Sequence, residues 1–309
     1  MKILSDVDTL MSDGLQARLD ALFAERALAR EKVYWTGAGG VVVGLLVGFI
    51  LFIYGAQQLA VTAALSIMGG GLAWANKIRQ KTVNSLKHEM NSALASAWEF
   101  DYSVKALPGK EFDHARDFEL LPSYENSSFE DQWQGCIDGT NFHLYEARLT
   151  ETWESEVSRH EVTLFEGIVL RFQFARPFVG VTMLRREKFK FTLFGDRTSL
   201  AGYRMERIRM VDPRFENAFD VYGTDQIEGR YLVHPAYCER LIDLENEFAG
   251  KNLSALFLHG DLIVTLETGD MFESATLNPD EGHEMLGQTI AQFGAIARLI
   301  KTLNERARS

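Results

Sequence analysis

Val33–Asn76 reads VYWTGAGGVVVGLLVGFILFIYGAQQLAVTAALSIMGGGLAWAN, 44 consecutive residues without Asp, Glu, Lys, Arg or His. A single straight helix of that length extends about 66 Å at 1.5 Å per residue. That is roughly twice the thickness of a bilayer's hydrocarbon core. Two passes fit better, and the break falls at Gly55-Ala56-Gln57-Gln58, a short turn of small and polar residues. The spans are then Trp35–Tyr54 and Leu59–Ala75. Tyr34, Trp35 and Trp74 stand at one interface and Tyr54 at the other, where amphipathic rings settle.

Within the first span, Thr36, Gly40, Gly44 and Gly48 recur every fourth residue as a stripe of small side chains. The second span answers with Ala60/Ala64 and Gly71/Ala75. Small residues let helix backbones approach closely where lipid removes any hydrophobic preference for protein over solvent. The stripe therefore serves either an intramolecular hairpin or, through Gly40, Gly44 and Gly48, a homo-oligomer. Arg26, Arg30 and Lys32 precede the hairpin, Lys77, Arg79, Lys81 and Lys87 follow it, and its turn has no charge. Positive flanks stay inside, so both termini are expected in the cytosol. Met1–Lys32 is long, carries both signs and lacks a basic start leading into an apolar run, which argues against a cleavable signal peptide.

Two misreadings of this region fail on chemistry. Gly37-Ala38-Gly39-Gly40 with Gly44 resembles a dinucleotide fingerprint, but no strand precedes it, and position 60, where a ribose-binding acid belongs, is Ala. Two spans without one ionisable side chain also offer no relay for a pump or transporter.

The 309-residue chain carries a formal charge of −11, unevenly spread. Through Met90 there are nine Lys/Arg against seven Asp/Glu, which leaves −13 on the rest. An acidic body repels a phosphate backbone, so nucleic acid is not an expected partner. Two cysteines, Cys136 and Cys238, exclude a disulfide scaffold or a four-cysteine zinc site.

The flanking segments read as helices. Leu4, Val7, Met11, Leu15, Leu19 and Leu22 recur at spacings of three and four, as do Val83, Leu86, Met90, Leu94 and Trp98. From about Phe112 the period becomes two. Trp133–Ile137 and Asn141–Trp153 flank Asp138-Gly139, a hairpin-turn signal. Val162–Ala175 reads as a long strand stopped by Arg176-Pro177, followed by Val181–Arg185, Lys188–Phe194, Arg204–Val211 and Phe219–Tyr222. A helix starts at Pro235, buries Tyr237, Leu241, Leu244 and Phe248, and ends at Gly250. Leu253–Leu258 and Asp261–Glu267 form a hairpin about His259-Gly260. A last helix, capped by Asn278, turns Leu286, Ile290, Phe293, Ala297, Ile300 and Leu303 inward.

The fold class is α+β: a transmembrane helical hairpin, then a largely antiparallel-sheet cytosolic domain with one helix before the last strand hairpin and one at the end. By analogy, a half-closed barrel capped by the last helix is one arrangement. The expected divisions are 1–32 (amphipathic helix), 33–76 (membrane hairpin), 77–105 (juxtamembrane helix) and 106–309 (α+β domain).

Phe165-Glu166-Gly167-Ile168, Arg176-Pro177-Phe178-Val179-Gly180, Phe219-Asp220-Val221-Tyr222 and the run from Asp225 through Gly229 to Leu232 resemble a bacterial family catalogued as domain of unknown function 3137. The hairpin and Met271-Phe272-Glu273 fit that resemblance too, which would then cover nearly the whole chain. It implies a protein tethered by two passes to a bacterial cytoplasmic membrane, with no catalytic residues or cofactor to carry over.

Candidate chemistry is sparse. His143 and Glu146 stand three apart on a predicted strand and so point to opposite faces. His160-Glu161 falls in a charged loop and His283-Glu284 in a helix's first turn, so neither suggests a metal site. Cys136, between a strand and a turn, reads as a buried structural thiol. Tyr222–Glu228 is the densest polar cluster: Asp225 and Glu228 suit acid–base or cation chemistry, and turn and cap chemistry is the plainer reading. No cofactor or metal is expected.

Between Arg185 and Arg209 there are eight Lys/Arg, including Arg185, Arg186, Lys188, Lys190, Arg204, Arg207 and Arg209, against three acids. Such a patch suits headgroups beside the anchor or an acidic partner. A solvated strand face would show the same composition. The first functional reading is thus a membrane-tethered, non-enzymatic interaction or scaffold protein, touching membrane lipid and another membrane or cytosolic protein. The alternative is a tethered hydrolase or other enzyme whose site assembles from distant residues such as Asp225, Glu228 and His234.

Overall fold

The computed structural model describes residues 13–154, 159–174, 179–186, 197–210, 212–269, 271 and 279–307. The described chain divides into two compact units, one built on residues 13–94 and the other on Ala95–Met271 with the end of the last helix from Gln288.

The first unit is a hairpin of two long helices, α1 (Asp13–Ile53) and α2 (Gln57–Trp98), the second running on to its last four residues in the other unit. The turn stands where the small polar residues predict it, with Gly55 at φ +77°. Neither helix breaks where the uncharged run meets the charged flank, because no Pro or helix-stopping pair lies there. The predicted juxtamembrane helix is therefore the continuation of the second span, with Leu86, Met90 and Leu94 buried. Two helical segments, Arg30–Ile53 and one within Gln57–Trp98, are long and apolar enough to cross a membrane.

The glycine stripe lies where the two helices meet. A Cβ on Gly40 would stand 2.8 Å from the Cα of Gly71, and one on Gly44 2.6 Å from a Met68 side-chain carbon. On Gly48 it would lie 2.9 Å from the Ala64 Cβ. Only hydrogen fits at such distances, so the stripe is consumed inside the hairpin.

The second unit is built on a ten-stranded sheet of β1 (Asp101–Lys105), β2 (Asn126–Ile137), β3 (Thr140–Glu154), β4 (Arg159–Gln173), β5 (Thr182–Arg186), β6 (Arg197–Leu200), β7 (Tyr203–Arg207), β8 (Phe219–Gly223), β9 (Lys251–Leu258) and β10 (Asp261–Glu267). The spatial order is β1-β2-β3-β4-β10-β9-β5-β8-β7-β6, and every neighbouring pair is antiparallel. Among the described residues β1 does not pair with β6, so this is an open sheet and not the half-closed barrel of the analogy. Three two-residue turns, Asp138-Gly139, Ala201-Gly202 and His259-Gly260, have positive φ at both positions. That backbone matches the twist of the strands it joins, and the second position falls to glycine each time.

Helices cover both faces. On one, α3 (Lys110–Asp117) and residues 118–121 lay Phe112, Ala115, Phe118, Leu120 and Leu121 into a core with Tyr145, Val169, Ile263, Leu256 and Met183. On the other, Trp98, Phe100, Trp133 and Phe142 cluster about Phe293 of α7 (Pro279–Ala307), with ring centroids 4.8 to 6.2 Å from its ring. Nearby, Tyr237 of α6 (Pro235–Glu247) meets Phe257 at 5.4 Å. The short helices α4 (Pro213–Glu216) and α5 (Gln226–Leu232) lie between β7 and α6 in sequence. All six inward residues predicted for the last helix are buried; its expected Asn278 cap lies outside the described residues. α6 ends one residue earlier than Gly250 suggests: Ala249 takes the left-handed conformation at φ 46°, and Gly250 N–H donates to Glu245 O at 2.8 Å. Gly250 is required for space instead, since a Cβ there would lie 2.7 Å from the Leu266 side chain.

Candidate functional site

The run from Phe219 to Leu232 folds as β8, a two-residue link and α5. Asp225 is the N-cap of α5, its Oδ1 accepting from Ile227 N–H at 2.7 Å and Glu228 N–H at 3.0 Å. Those two N–H groups hold its carboxyl below the usual carboxylate range. Glu228, in the first turn, reaches the strand leading into β5: Oε1 accepts from Val179 N–H at 2.9 Å and Oε2 from Gly180 N–H at 2.5 Å. Thr224 completes the clasp. Its Oγ1 accepts from Val181 N–H at 2.9 Å while its own N–H donates to Val181 O at 2.9 Å. A Cβ on Gly180 would stand 2.7 Å from a Glu228 oxygen and 2.8 Å from Thr224 Oγ1, so a larger residue there would have to displace the clasp. Gln226 Nε2 ties the same helix to Arg207 O at 3.1 Å.

Beside the exposed polar Thr224, Asp225 and Arg230, this junction leaves three apolar side chains exposed. Val179 is 100% exposed, Ile227 84% and Tyr231 50%, and Ile227 and Tyr231 share a face of α5 at a spacing of four. Single exposed apolar residues are ordinary on a protein surface; a group fixed by a main-chain clasp is the pattern of a contact surface.

The residues named for an assembled enzyme site each hold main-chain N–H groups. Asp225 and Glu228 spend their carboxylates on main-chain N–H groups, and His234 caps α6 with Nδ1 accepting from Tyr237 N–H at 3.3 Å. These are cap and turn roles.

The basic patch is not gathered onto one open face. Arg185 is buried, 5% exposed, with its guanidinium donating to the Phe118 carbonyl, and burial pushes its pKa down. It cannot serve as a surface contact. Arg186 pairs with Glu245 and lies 4.4 Å over the Phe219 ring. Arg207 meets Asp220 at 2.9 Å and Glu216 at 3.5 Å. Arg204 and Arg209 are exposed; Lys188 and Lys190 lie outside the described residues. The partners come from other elements, so a local count of charges could not reveal them.

A buried polar pair was missed in the sequence. Glu111, 2% exposed, accepts at Oε1 from His143 at 2.9 Å and from Gly109 N–H at 2.8 Å. Burial raises the Glu111 carboxyl, but the hydrogen bonds from His143 and the main chain outweigh it and leave the pKa lowered. Burial, and then the Glu111 charge, push the neighbouring Tyr145 hydroxyl well up. His143 and Glu146 do face apart as predicted, and Glu146 accepts from Met271 N–H at 3.3 Å instead. A first-turn acid of an unpredicted helix was the only signal for Glu111.

Beside His143 is a cavity of about 480 Å³ lined by Gln134, Cys136, Asn141, Arg171 and Gln173. Arg171 is paired with Asp261 at 2.9 Å. Cys136 is exposed here, lining the cavity, against the expectation of a buried thiol. Cys238 is the buried thiol, pushed up to about 12 chiefly by burial. Among the described residues no group of His, Cys, Asp and Glu could hold a metal ion.

Residues 163–305 match the family described as "Protein of unknown function (DUF3137)". The matched stretch runs from β4 through most of α7, holds both sides of the clasp, and leaves the hairpin outside. No curated protein matches the chain. Among solved structures, the mycobacterial trehalose monomycolate transport factor A, TtfA, is similar over 66% of this chain and 93% of that one, at 12% identity and a TM-score of 0.33.

Proposed function

We propose that this is a membrane-anchored interaction protein: the α1–α2 hairpin embeds in a bacterial cytoplasmic membrane, and the sheet unit holds a protein partner on its cytosolic side. The observation that carries the reading is the apolar trio Val179, Ile227 and Tyr231, displayed on backbone fixed by Glu228. Anchoring is supported by the outward side chains of the hairpin, with Trp35 65%, Phe49 63%, Leu65 63% and Trp74 67% exposed. Such surface on two long helices suits lipid and is costly in water, at about 25 cal/mol per Å². A protein partner fits the trio better than a membrane face, because the acidic body disfavours anionic headgroups.

A photo-reactive amino acid placed at Ile227 tests the reading in native membranes, against the same probe at Glu239 on the exposed side of α6. The expected result is a discrete protein adduct from position 227 and none from 239. Ile227→Asp should weaken the same association about tenfold or more, as for a central apolar contact, without moving the thermal unfolding temperature. Equal adducts from both positions would remove the trio as the contact surface.

A further inference from the structure

The glycine stripe brings the two helices of the hairpin together. Backbones touch at Gly40 and Gly71, and at Gly37 the approach has eased to 3.6 Å from a built Cβ to that of Ala75. Beyond the uncharged run lies a cleft of about 320 Å³ lined from both helices, with the buried Leu86 among its walls. Leu28 and Lys32 line it from α1, and Ile78, Thr82, Ser85 and Glu89 from α2.

Depth identifies the occupant. Lys32 directly precedes the uncharged run, and Ile78 and Thr82 follow Asn76 by two and six residues. At 1.5 Å per residue they lie within about 10 Å of the hydrocarbon edge, in the layer of phosphates and glycerols. Lys32 offers a cation, Thr82 and Ser85 offer hydroxyl donors, and Leu28 and Ile78 offer apolar floor for the glycerol ester region. Glu89, at the far end of the cleft, lies about 20 Å past the run, farther out than a phosphate held at Lys32 and Thr82 would sit. Arg30, Lys77, Arg79 and Lys81 stand within a few residues of the lining in sequence and raise the local concentration of anions.

We propose that this cleft is a specific site for an anionic glycerophospholipid headgroup, its phosphate on Lys32 and Thr82. The inference rests on the anchoring proposed above and adds a lipid selectivity to it.

The test uses the full chain in detergent, with thermal unfolding followed as phosphatidylglycerol, phosphatidylcholine or inorganic phosphate is added. Phosphatidylglycerol should raise the unfolding temperature, and the other two should not. Lys32→Gln, or Thr82→Val with Ser85→Ala, should lower the apparent affinity for phosphatidylglycerol about five- to tenfold. Arg79→Gln, which removes a charge of the surrounding belt, should leave most of it. Equal stabilisation by the two lipids overturns the site, and so does an Arg79→Gln loss as large as that of Lys32→Gln, which would mean a diffuse charge effect. Stabilisation by phosphate alone would mean an ion site and not a lipid site. Carbonate washing of the same membranes separates the two proposals. A protein stripped by carbonate defeats the anchoring and the site together, whereas one that stays bound without lipid preference defeats the site alone.

Discussion

Glu111 and His143 join α3 to the third strand through one short contact inside the core, and the direction of the Glu111 shift sets how that contact responds to acid. A carboxyl whose pKa is lower folded than its usual 4.5 favours the folded state when charged. Its contribution is complete above the unfolded value and disappears as pH falls through the folded one. Glu111→Gln should therefore cost about 1–3 kcal/mol at neutral pH, the range for a lost charged hydrogen bond in a buried setting. The gap to the parent chain should shrink only as the pH falls through the lowered folded-state value, where both side chains become neutral; denaturant titrations at neutral and at successively more acidic pH measure it. A gap that is constant with pH would mean Glu111 acts by packing alone. The two cysteines give a second check at this scale. A thiol reagent at neutral pH should modify Cys136 quickly and Cys238 only after unfolding, since burial holds the latter thiol protonated.

At the scale of elements, the glycine contacts of the hairpin set position against position within one turn. Gly40→Leu forces a side chain into the Gly71 backbone, whereas Gly39 has nothing within 4 Å of a built Cβ. The first substitution should destabilise the hairpin by about 1–3 kcal/mol or more, the usual cost of overpacking, and Gly39→Leu by much less. Thermal unfolding in detergent compares them, and equal effects would mean the helices do not meet along this stripe. This stripe was legible because every fourth residue marks one face of a helix. The Asp138-Gly139 and His259-Gly260 turns were legible because only certain residues take positive φ at low cost. α3 was not, since eight residues give too little periodicity to stand out beside strands. The Thr224–Glu228 clasp was seen as cap chemistry, but the backbone it grips lies some 45 residues upstream, and no local pattern connects the two.

At the scale of the whole molecule the same limit governs the sheet. Its order places β10 between β4 and β9, and β5 between β9 and β8, joining strands separated by long stretches of chain. Alternation shows which residues turn inward, and it is silent on which strand lies beside which. Charge distribution, by contrast, is a property of the full sequence and yields a topology. Nine Lys/Arg against seven Asp/Glu lie through Met90, clustered at the ends of the uncharged run, while the hairpin turn carries none. On the anchoring proposed above, the basic ends are expected to stay in the cytosol, the turn to cross, and the acidic remainder to follow the second helix back to the side where it began. Replacing Cys136 with Ser leaves only the buried Cys238, so single reporters can be read against a quiet background. In intact cells with the outer layers permeable, a membrane-impermeant maleimide should label Gln58→Cys, at the exposed start of α2, and should not label Glu239→Cys. After lysis both should react. Labelling of Glu239→Cys before lysis would put the sheet unit outside and overturn the orientation. Protection of Gln58→Cys under conditions that label it in detergent would mean the turn never crosses, leaving the apolar helices to be covered by protein instead of lipid.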